Sequence, residues 1–84
     1  MRVVIADDTA LLRQGLARLL TEAGVEVCGE AADGEELLGL VERERPEVAV
    51  VDIRMPPTHT DEGLTAARAI RADHPDVCVL VLSQ

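Results

Sequence analysis

Three carboxylates stand directly after two apolar runs of the sequence. Asp7 and Asp8 follow the run Val3–Ala6. Asp52 follows the four apolar residues Val48–Val51. Neither run alternates with polar residues, which is typical of strands buried on both faces of a parallel sheet. Because open α/β sheets build their ligand sites at the carboxyl ends of such strands, we expect Asp52 to be the reactive group there.

The chemistry of such a site follows from the crowding of its charges. Neighbouring strands lie roughly 5 Å apart, so Asp7, Asp8 and Asp52 would lie together if their strands are adjacent. Like charges at this distance are unfavourable unless one group is protonated or a cation lies among them. Carboxylate oxygens together with water suit Mg²⁺, so the sequence predicts a magnesium site. The alternative is that Asp7 and Asp8 only cap the helix that follows them.

Few other residues suggest chemistry. Ser83 follows the last apolar run, where its hydroxyl could donate to an anion bound at Asp52 or could simply belong to a turn. Cys28 and Cys78 match neither a zinc spacing nor a redox CxxC motif. Both fall inside predicted strands, where a free cysteine is usually a small buried hydrophobe. The sequence has no glycine-rich nucleotide loop and no Ser/His/Asp set for nucleophilic catalysis.

Length and composition limit the fold and the partners. The 84 residues allow one small domain, and its core must be aliphatic because 48% of the residues are hydrophobic and none is aromatic. A net charge of −8 opposes contact with nucleic acid phosphates and with anionic membrane surfaces. No apolar run has the length of a membrane span, and the N-terminal run is too short for a signal peptide. We therefore expect a cytoplasmic protein that contacts neither nucleic acid nor membrane directly.

Strands and helices alternate along the chain. Strands are expected at Val3–Ala6, Val25–Glu30, Val48–Asp52 and Val77–Leu82. Helices are expected at Ala10–Ala23, from Asp33 to Glu44, and at Glu62–Ala72. Right-handed crossovers between such elements favour a parallel sheet, and the strand order 2-1-3-4 would open a crevice beside the acidic residues.

Helical spacing predicts which residues face the sheet and where the helices begin. The expected inward residues are Leu12, Leu16, Leu19, Leu20 and Ala23 of the first helix, Leu37, Leu38 and Val41 of the second, and Gly63, Ala66, Ala67 and Ile70 of the third. Thr9 is the predicted cap of the first helix, and Gly24 is its predicted stop. Asp33 and Glu36 have the spacing of a capping box.

Taken together, these motifs resemble the receiver domain of bacterial two-component response regulators. The shared features are the acidic pair after the first strand, the sequence VVDIRMP around Asp52, and Ser83 after VLVL. The segments Leu11–Leu16 (LLRQGL) and Gly29–Gly34 (GEAADG) resemble the subgroup whose C-terminal half is a helix-turn-helix DNA-binding domain. The resemblance covers all 84 residues and implies a flavodoxin-like α/β fold.

The same resemblance implies a role for each acidic residue. Asp52 would accept a phosphoryl group from a sensor histidine kinase. Asp8, Asp52 and the backbone carbonyl of Arg54 would hold Mg²⁺, and Asp7 would act through a bound water. Ser83 would hydrogen-bond the phosphoryl oxygen and couple it to a conformational switch. Such a protein is a signalling module and not an enzyme.

Two features depart from that family. The loop Pro57–Glu62 is longer than the usual connection before the family's glycine, here Gly63. The sequence also ends at Gln84, before the fourth helix, the fifth strand with its lysine, the last helix and any DNA-binding domain. Residues 1–84 are therefore interpreted as a truncated receiver domain. Since Val77–Leu82 would then lie at an open sheet edge, we expect a homodimer or a swapped assembly through that strand.

Three functions compete on these observations. The first is a phosphoacceptor receiver that controls a transcription-regulator output domain. The second is a phosphorylation-incompetent receiver-like module that self-associates through its fourth strand. The third is a phosphoryl-transfer hydrolase with an aspartate nucleophile, which is disfavoured because Arg54 stands where such enzymes usually carry a second acid. Covalent phosphorylation of Asp52 separates the first function from the second.

Overall fold

A computed structural model describes residues 1–53 and 62–82 of the chain. Its strands are β1 (Arg2–Ala6), β2 (Glu26–Ala31), β3 (Val48–Asp52) and β4 (Cys78–Leu82). Its helices are α1 (Ala10–Glu22), α2 (Gly34–Glu44) and α3 (Glu62–Asp73). All strand pairs are parallel and the order is β2-β1-β3-β4, which confirms the predicted flavodoxin-like sheet. Each element begins and ends within one residue of its predicted position.

The sheet separates two apolar cores of unequal size. The larger core joins the sheet to α2 and α3, and its buried residues are Val4, Ala6, Ala31, Leu37, Leu40, Val41, Ala49, Val51, Ala66, Ile70 and Val77. The smaller core lies under α1, and its buried residues are Val3, Ile5, Ala17 and Val50. Strands β1 and β3 contribute to both cores because successive side chains of a strand point to opposite faces. These two strands are therefore the centre of the molecule.

The inward face of α1 differs from the predicted one. Leu16 and Leu20 do pack against the smaller core, but Leu12 and Leu19 are 51% and 65% exposed, and Ala23 is exposed as well. The stripe that faces the sheet consists of Arg13, Leu16, Ala17 and Leu20, which have the spacing i, i+3, i+4 and i+7. One position of this stripe is an arginine, which a search for apolar residues passes over. The apolar pattern therefore predicted Leu12 and Leu19 as inward residues instead.

Helix α2 confirms its predicted start and corrects one of its inward residues. The Asp33 carboxylate accepts a hydrogen bond from the Glu36 amide at 2.8 Å, and the Glu36 carboxylate accepts one from the Ala32 amide at 2.8 Å. This is the reciprocal arrangement of a capping box. Leu37 and Val41 are fully buried as predicted, whereas the remaining inward position is Leu40 and Leu38 is 37% exposed.

The predicted cap of α1 is wrong in its mechanism. Thr9 does occupy the N-cap position, but its side chain makes no capping hydrogen bond. Its amide instead donates to the Asp7 carboxylate at 2.8 Å, so the preceding acid fixes the start of the helix. At the other end, Gly24 has a φ of 90°, a left-handed conformation that suits a glycine after a helix, as predicted.

Helix α3 shares the face of the sheet that α2 covers, and strand β4 lies at the end of the sheet opposite β2. The four predicted inward residues of α3 are all buried, and the small size of Gly63, Ala66 and Ala67 lets the start of the helix lie close to β3. β4 lies at the end of the sheet and exposes Leu80, Val81 and Leu82 by 53%, 37% and 40%. Cys28 is half-buried, but Cys78 is exposed on β4, so the expectation of a buried thiol fails there. Within residues 1–53 and 62–82, no helix is long and apolar enough to cross a membrane.

Candidate functional site

The three predicted carboxylates lie together at one edge of the sheet. Asp7, Asp8 and Asp52 each offer an oxygen, and these oxygens all lie within 4.8 Å of one another. The strand register explains the proximity, since Ala6 of β1 pairs with Val51 of β3 and the acids come next on both strands. Asp7 and Asp52 are 8% and 5% exposed, and Asp8 is half-buried. Asp8 is therefore the most accessible of the three acids.

The backbone around Asp7 is held from three directions. Its amide donates to the Ala31 carbonyl of β2 at 3.0 Å. One oxygen of its carboxylate accepts from the Thr9 amide at 2.8 Å, and its own carbonyl accepts from the Arg13 guanidinium at 2.7 Å. The alternative that the acidic pair serves the helix start is thus correct for one oxygen of Asp7. It does not account for the approach of Asp8 and Asp52.

Asp52 is positioned by the close approach of α3. The Gly63 amide donates to the Ile53 carbonyl at 2.9 Å, and the Ile53 amide donates to the Leu82 carbonyl of β4 at 3.0 Å. A methyl group at Gly63 would overlap the carbonyl oxygen of Asp52 and lie 2.7 Å from its carbonyl carbon. No side chain larger than hydrogen fits there without a shift of the backbone. The sequence indicated Gly63 as a small inward residue and, through the family resemblance, as the glycine that ends the loop after Asp52, but neither signal showed its contact with the Asp52 carbonyl.

The donor set of the site fits a hard divalent cation. All three groups are carboxylates, and oxygen ligands are what Mg²⁺ and Ca²⁺ prefer. Ligand oxygens of one Mg²⁺ lie at most about 4.2 Å apart, because each lies about 2.1 Å from the ion. Oxygens within 4.8 Å of one another need only small side-chain movements to reach that geometry.

Two predicted site residues fall outside the described residues. These are Arg54, with its backbone carbonyl, and Ser83. The loop Pro57–Glu62 is also outside them except for its last residue. The roles assigned to these positions stay predictions.

Comparisons with known proteins agree on one family. The response regulator receiver domain family matches residues 3–84. The transcriptional regulatory protein PdtaR of Mycobacterium tuberculosis is 40% identical over 85 aligned positions, which cover 99% of this chain and 40% of that protein. A protein-glutamate methylesterase/protein-glutamine glutaminase of Hahella chejuensis is 41% identical over 81 positions, which cover 96% of this chain and 22% of that protein.

The fold superposes on a solved receiver domain over nearly the full length of this chain. The signal receiver domain of a Mycobacterium tuberculosis protein assigned as the response regulator NarL superposes with a TM-score of 0.88 at 41% identity. The superposition covers 98% of this chain and 64% of that structure. The chain thus spans two fifths or less of the length of the two curated relatives, and one of these relatives is named as an enzyme.

Proposed function

The chain belongs to the response regulator receiver domain family, and from this premise we propose that Asp52 accepts a phosphoryl group from a sensor histidine kinase. A carboxylate oxygen of Asp52 would attack the phosphorus of a phosphohistidine. The new oxygen–phosphorus bond forms as the nitrogen–phosphorus bond breaks, and the imidazole takes up a proton. The observation that carries the proposal is the convergence of Asp7 and Asp8 on a buried Asp52 at the carboxyl edge of the sheet.

The acidic partners of Asp52 would serve the transfer by holding a cation. Asp8, Asp52 and the carbonyl of Arg54 would bind Mg²⁺ directly, and Asp7 would act through a bound water. The bound ion supplies charge neutralisation for an in-line phosphoryl transfer, a reaction that depends on positioning and electrostatics. Ser83 follows β4 directly and would donate its hydroxyl to a phosphoryl oxygen, which couples the modification to the end of that strand.

The finer biological setting is part of the same proposal. We infer a cytoplasmic signalling module, not an enzyme, in which residues 1–84 form one receiver unit. Its output would be a DNA-binding transcription-regulator domain elsewhere in the protein. Support comes from the transcriptional regulator among the relatives and from the resemblance of Leu11–Leu16 and Gly29–Gly34 to the helix-turn-helix subgroup.

Phosphorylation is tested by the intact mass of the protein after incubation with acetyl phosphate and Mg²⁺. We expect a phosphoryl-sized increase in the parent protein, none in Asp52→Asn, and the parent result in Asp76→Asn, which removes an exposed carboxylate far along the chain. Omission of Mg²⁺ should abolish the increase. An unmodified parent protein with an intact circular dichroism spectrum would contradict the proposal and favour the self-associating alternative.

That alternative rests on β4, and we propose that a second copy of the chain pairs there. The Cys78 amide donates to the Glu47 carbonyl at 2.9 Å, and the Leu82 carbonyl accepts from the Ile53 amide at 3.0 Å. Backbone groups alternate along a strand, so Cys78, Leu80 and Leu82 direct theirs to β3, while Val79 and Val81 direct theirs outward. In an antiparallel pair, Val79 of one copy would face Val81 of the other, with Leu80 on the two-fold axis. The edge is therefore complementary to itself.

A further inference from the structure

Arg13 lies between the acidic site and the second strand. It belongs to the first turn of α1 and to the stripe that faces the sheet, and its side chain is only 16% exposed. The guanidinium donates from Nη1 to the Asp7 carbonyl at 2.7 Å and from Nε to the Glu30 carboxylate at 3.0 Å. One side chain thus joins the start of α1 to the carboxyl ends of β1 and β2. It also joins the segments Leu11–Leu16 and Gly29–Gly34, and neither segment has a role in the phosphoryl transfer proposed above.

The hydrogen bond from Arg13 to the Asp7 carbonyl restricts the orientation of both Asp7 and Asp8. The peptide unit between Asp7 and Asp8 is planar, so the position of its oxygen fixes the direction of the Asp8 amide and of both flanking Cα atoms. The Asp7 amide is already held by Ala31, and the Asp7 carboxylate by the Thr9 amide. With the carbonyl fixed as well, the peptide that carries both carboxylates has one orientation.

An arginine at this position has no evident packing role. The neighbouring positions of the stripe are Leu16, Ala17 and Leu20, so an aliphatic side chain would match their surroundings better than a guanidinium. The helix has a second arginine, Arg18, whose ion pair with Glu22 is 82% and 63% exposed. Exposed pairs of that kind contribute little to stability. Arg13 differs in being largely covered and in contacting a backbone carbonyl while a carboxylate, that of Glu30, orients its guanidinium.

We propose that Arg13, oriented by Glu30, is the positioning residue of the acidic site. It fixes the peptide between Asp7 and Asp8 so that both carboxylates face Asp52. This inference rests on the proposed cation site, since its effect is expressed as the affinity of that site. Groups that orient metal ligands without touching the metal typically change affinity by about 10- to 100-fold when they are removed.

The sign of the effect distinguishes positioning from simple charge. Arg13 is a cation beside a cation site, so on Coulomb repulsion alone its removal should tighten the binding of Mg²⁺. Loss of a fixed peptide should weaken binding instead, because Asp7 and Asp8 must then be ordered by the ion itself. Arg13→Gln therefore gives opposite results under the two explanations. Arg13→Lys keeps the charge but not the two-pronged contact, and it should recover part of the affinity.

The test is the dissociation constant for Mg²⁺, measured by calorimetry on the parent protein and on Arg13→Gln, Arg13→Lys and Arg18→Gln. We expect Arg13→Gln to weaken binding by about tenfold, Arg13→Lys to lie between it and the parent, and Arg18→Gln to stay within about twofold of the parent. Equal or tighter binding by Arg13→Gln would overturn the inference. Circular dichroism establishes that each variant is folded. If Arg13→Gln unfolds, Arg13→Lys decides, because charge alone predicts unchanged binding and positioning predicts weaker binding.

A second readout needs no metal. The Thr9 amide donates to the Asp7 carboxylate, so its hydrogen exchange in the metal-free protein reports the order of this loop. We expect Arg13→Gln to accelerate that exchange by several-fold, with little change in Arg18→Gln, and unchanged exchange would overturn the inference. A parent protein that binds no Mg²⁺ would refute the cation site, and the exchange measurement would still decide the role of Arg13.

Discussion

Gly63 controls the distance between α3 and β3. An added methyl group would overlap the backbone of Asp52, and overpacking of this kind costs about 1–3 kcal/mol. We predict that Gly63→Ala lowers the free energy of unfolding by about that amount and slows phosphorylation of Asp52. Urea unfolding followed by circular dichroism is the measurement, since the chain has no aromatic fluorophore.

A matched substitution is available on α2. A methyl group at Gly39 would meet nothing within 4 Å, so Gly39→Ala should gain up to about 1 kcal/mol from helix propensity. The two variants make the same chemical change with opposite expected signs. Equal shifts of the urea midpoint would show that the approach of α3 to Asp52 is not tight.

The residues of the site differ in how well they could be predicted from the sequence. Asp7, Asp8 and Asp52 could be identified because each follows an uninterrupted apolar run, and parallel strands bring such positions to one edge. Gly63 and Arg13 could not be identified in the same way. Their importance depends on how closely a helix approaches a strand and on which carbonyl lies within reach, and both are properties of the packed structure.

Among the elements, the two helix starts make opposite use of their cap residues. Asp33 accepts a hydrogen bond from the Glu36 amide, whereas the Thr9 side chain makes no capping bond. We predict that Asp33→Ala lowers the free energy of unfolding by about 1 kcal/mol, and that Thr9→Ala changes it by a few tenths at most. Thermal and urea unfolding of the two variants measure the difference. A comparable loss in Thr9→Ala would mean that its hydroxyl caps α1 in solution.

The elements themselves were predictable, whereas their faces were predictable only in part. Gly24 and the capping box of Asp33 and Glu36 mark helix termini by local backbone chemistry, so the boundaries agree within one residue. Leu12, Leu19 and Leu38 were assigned inward because they are apolar at helical spacing. The described structure exposes all three, because a helix with leucines on a broad arc can bury only the part that the sheet covers.

At the scale of the whole molecule, the proposed pairing through β4 can be tested by substitution of one leucine. Leu80 would lie on the axis of the proposed antiparallel pair and is 53% exposed. We predict that Leu80→Lys gives a monomer in sedimentation velocity at concentrations where the parent is a dimer, because a charged residue on an edge strand opposes pairing. The matched control is Leu19→Lys, which charges a leucine of α1 that is 65% exposed and should leave the dimer intact.

The net charge gives a second way to test the same assembly. Each copy carries a charge of −8, so the two copies repel one another at low ionic strength. Added salt screens that repulsion, and the parent dimer should tighten from low to moderate salt. A monomeric parent at high protein concentration and moderate salt would rule out the β4 interface.

The unequal cores imply that α1 and α2 open with different free energies. Helix α1 contributes a single buried residue, Ala17, whereas α2 contributes Leu37, Leu40 and Val41. Detachment of α1 alone uncovers the smaller core and leaves the larger one packed, so it requires less free energy than global unfolding. We expect the amides of α1 to exchange with deuterium well before those of α2.

Arg13 of that helix and its N-cap residue Thr9 both contact Asp7, so the local opening of α1 and the acidic site are thermodynamically linked. An ion that binds only the closed form lowers the population of the open form. Mg²⁺ should therefore slow exchange in α1 more than in α2, and equal slowing of both helices would show that they open together. On this view, binding of an ion at the acidic site lengthens the time that α1 stays packed against the sheet.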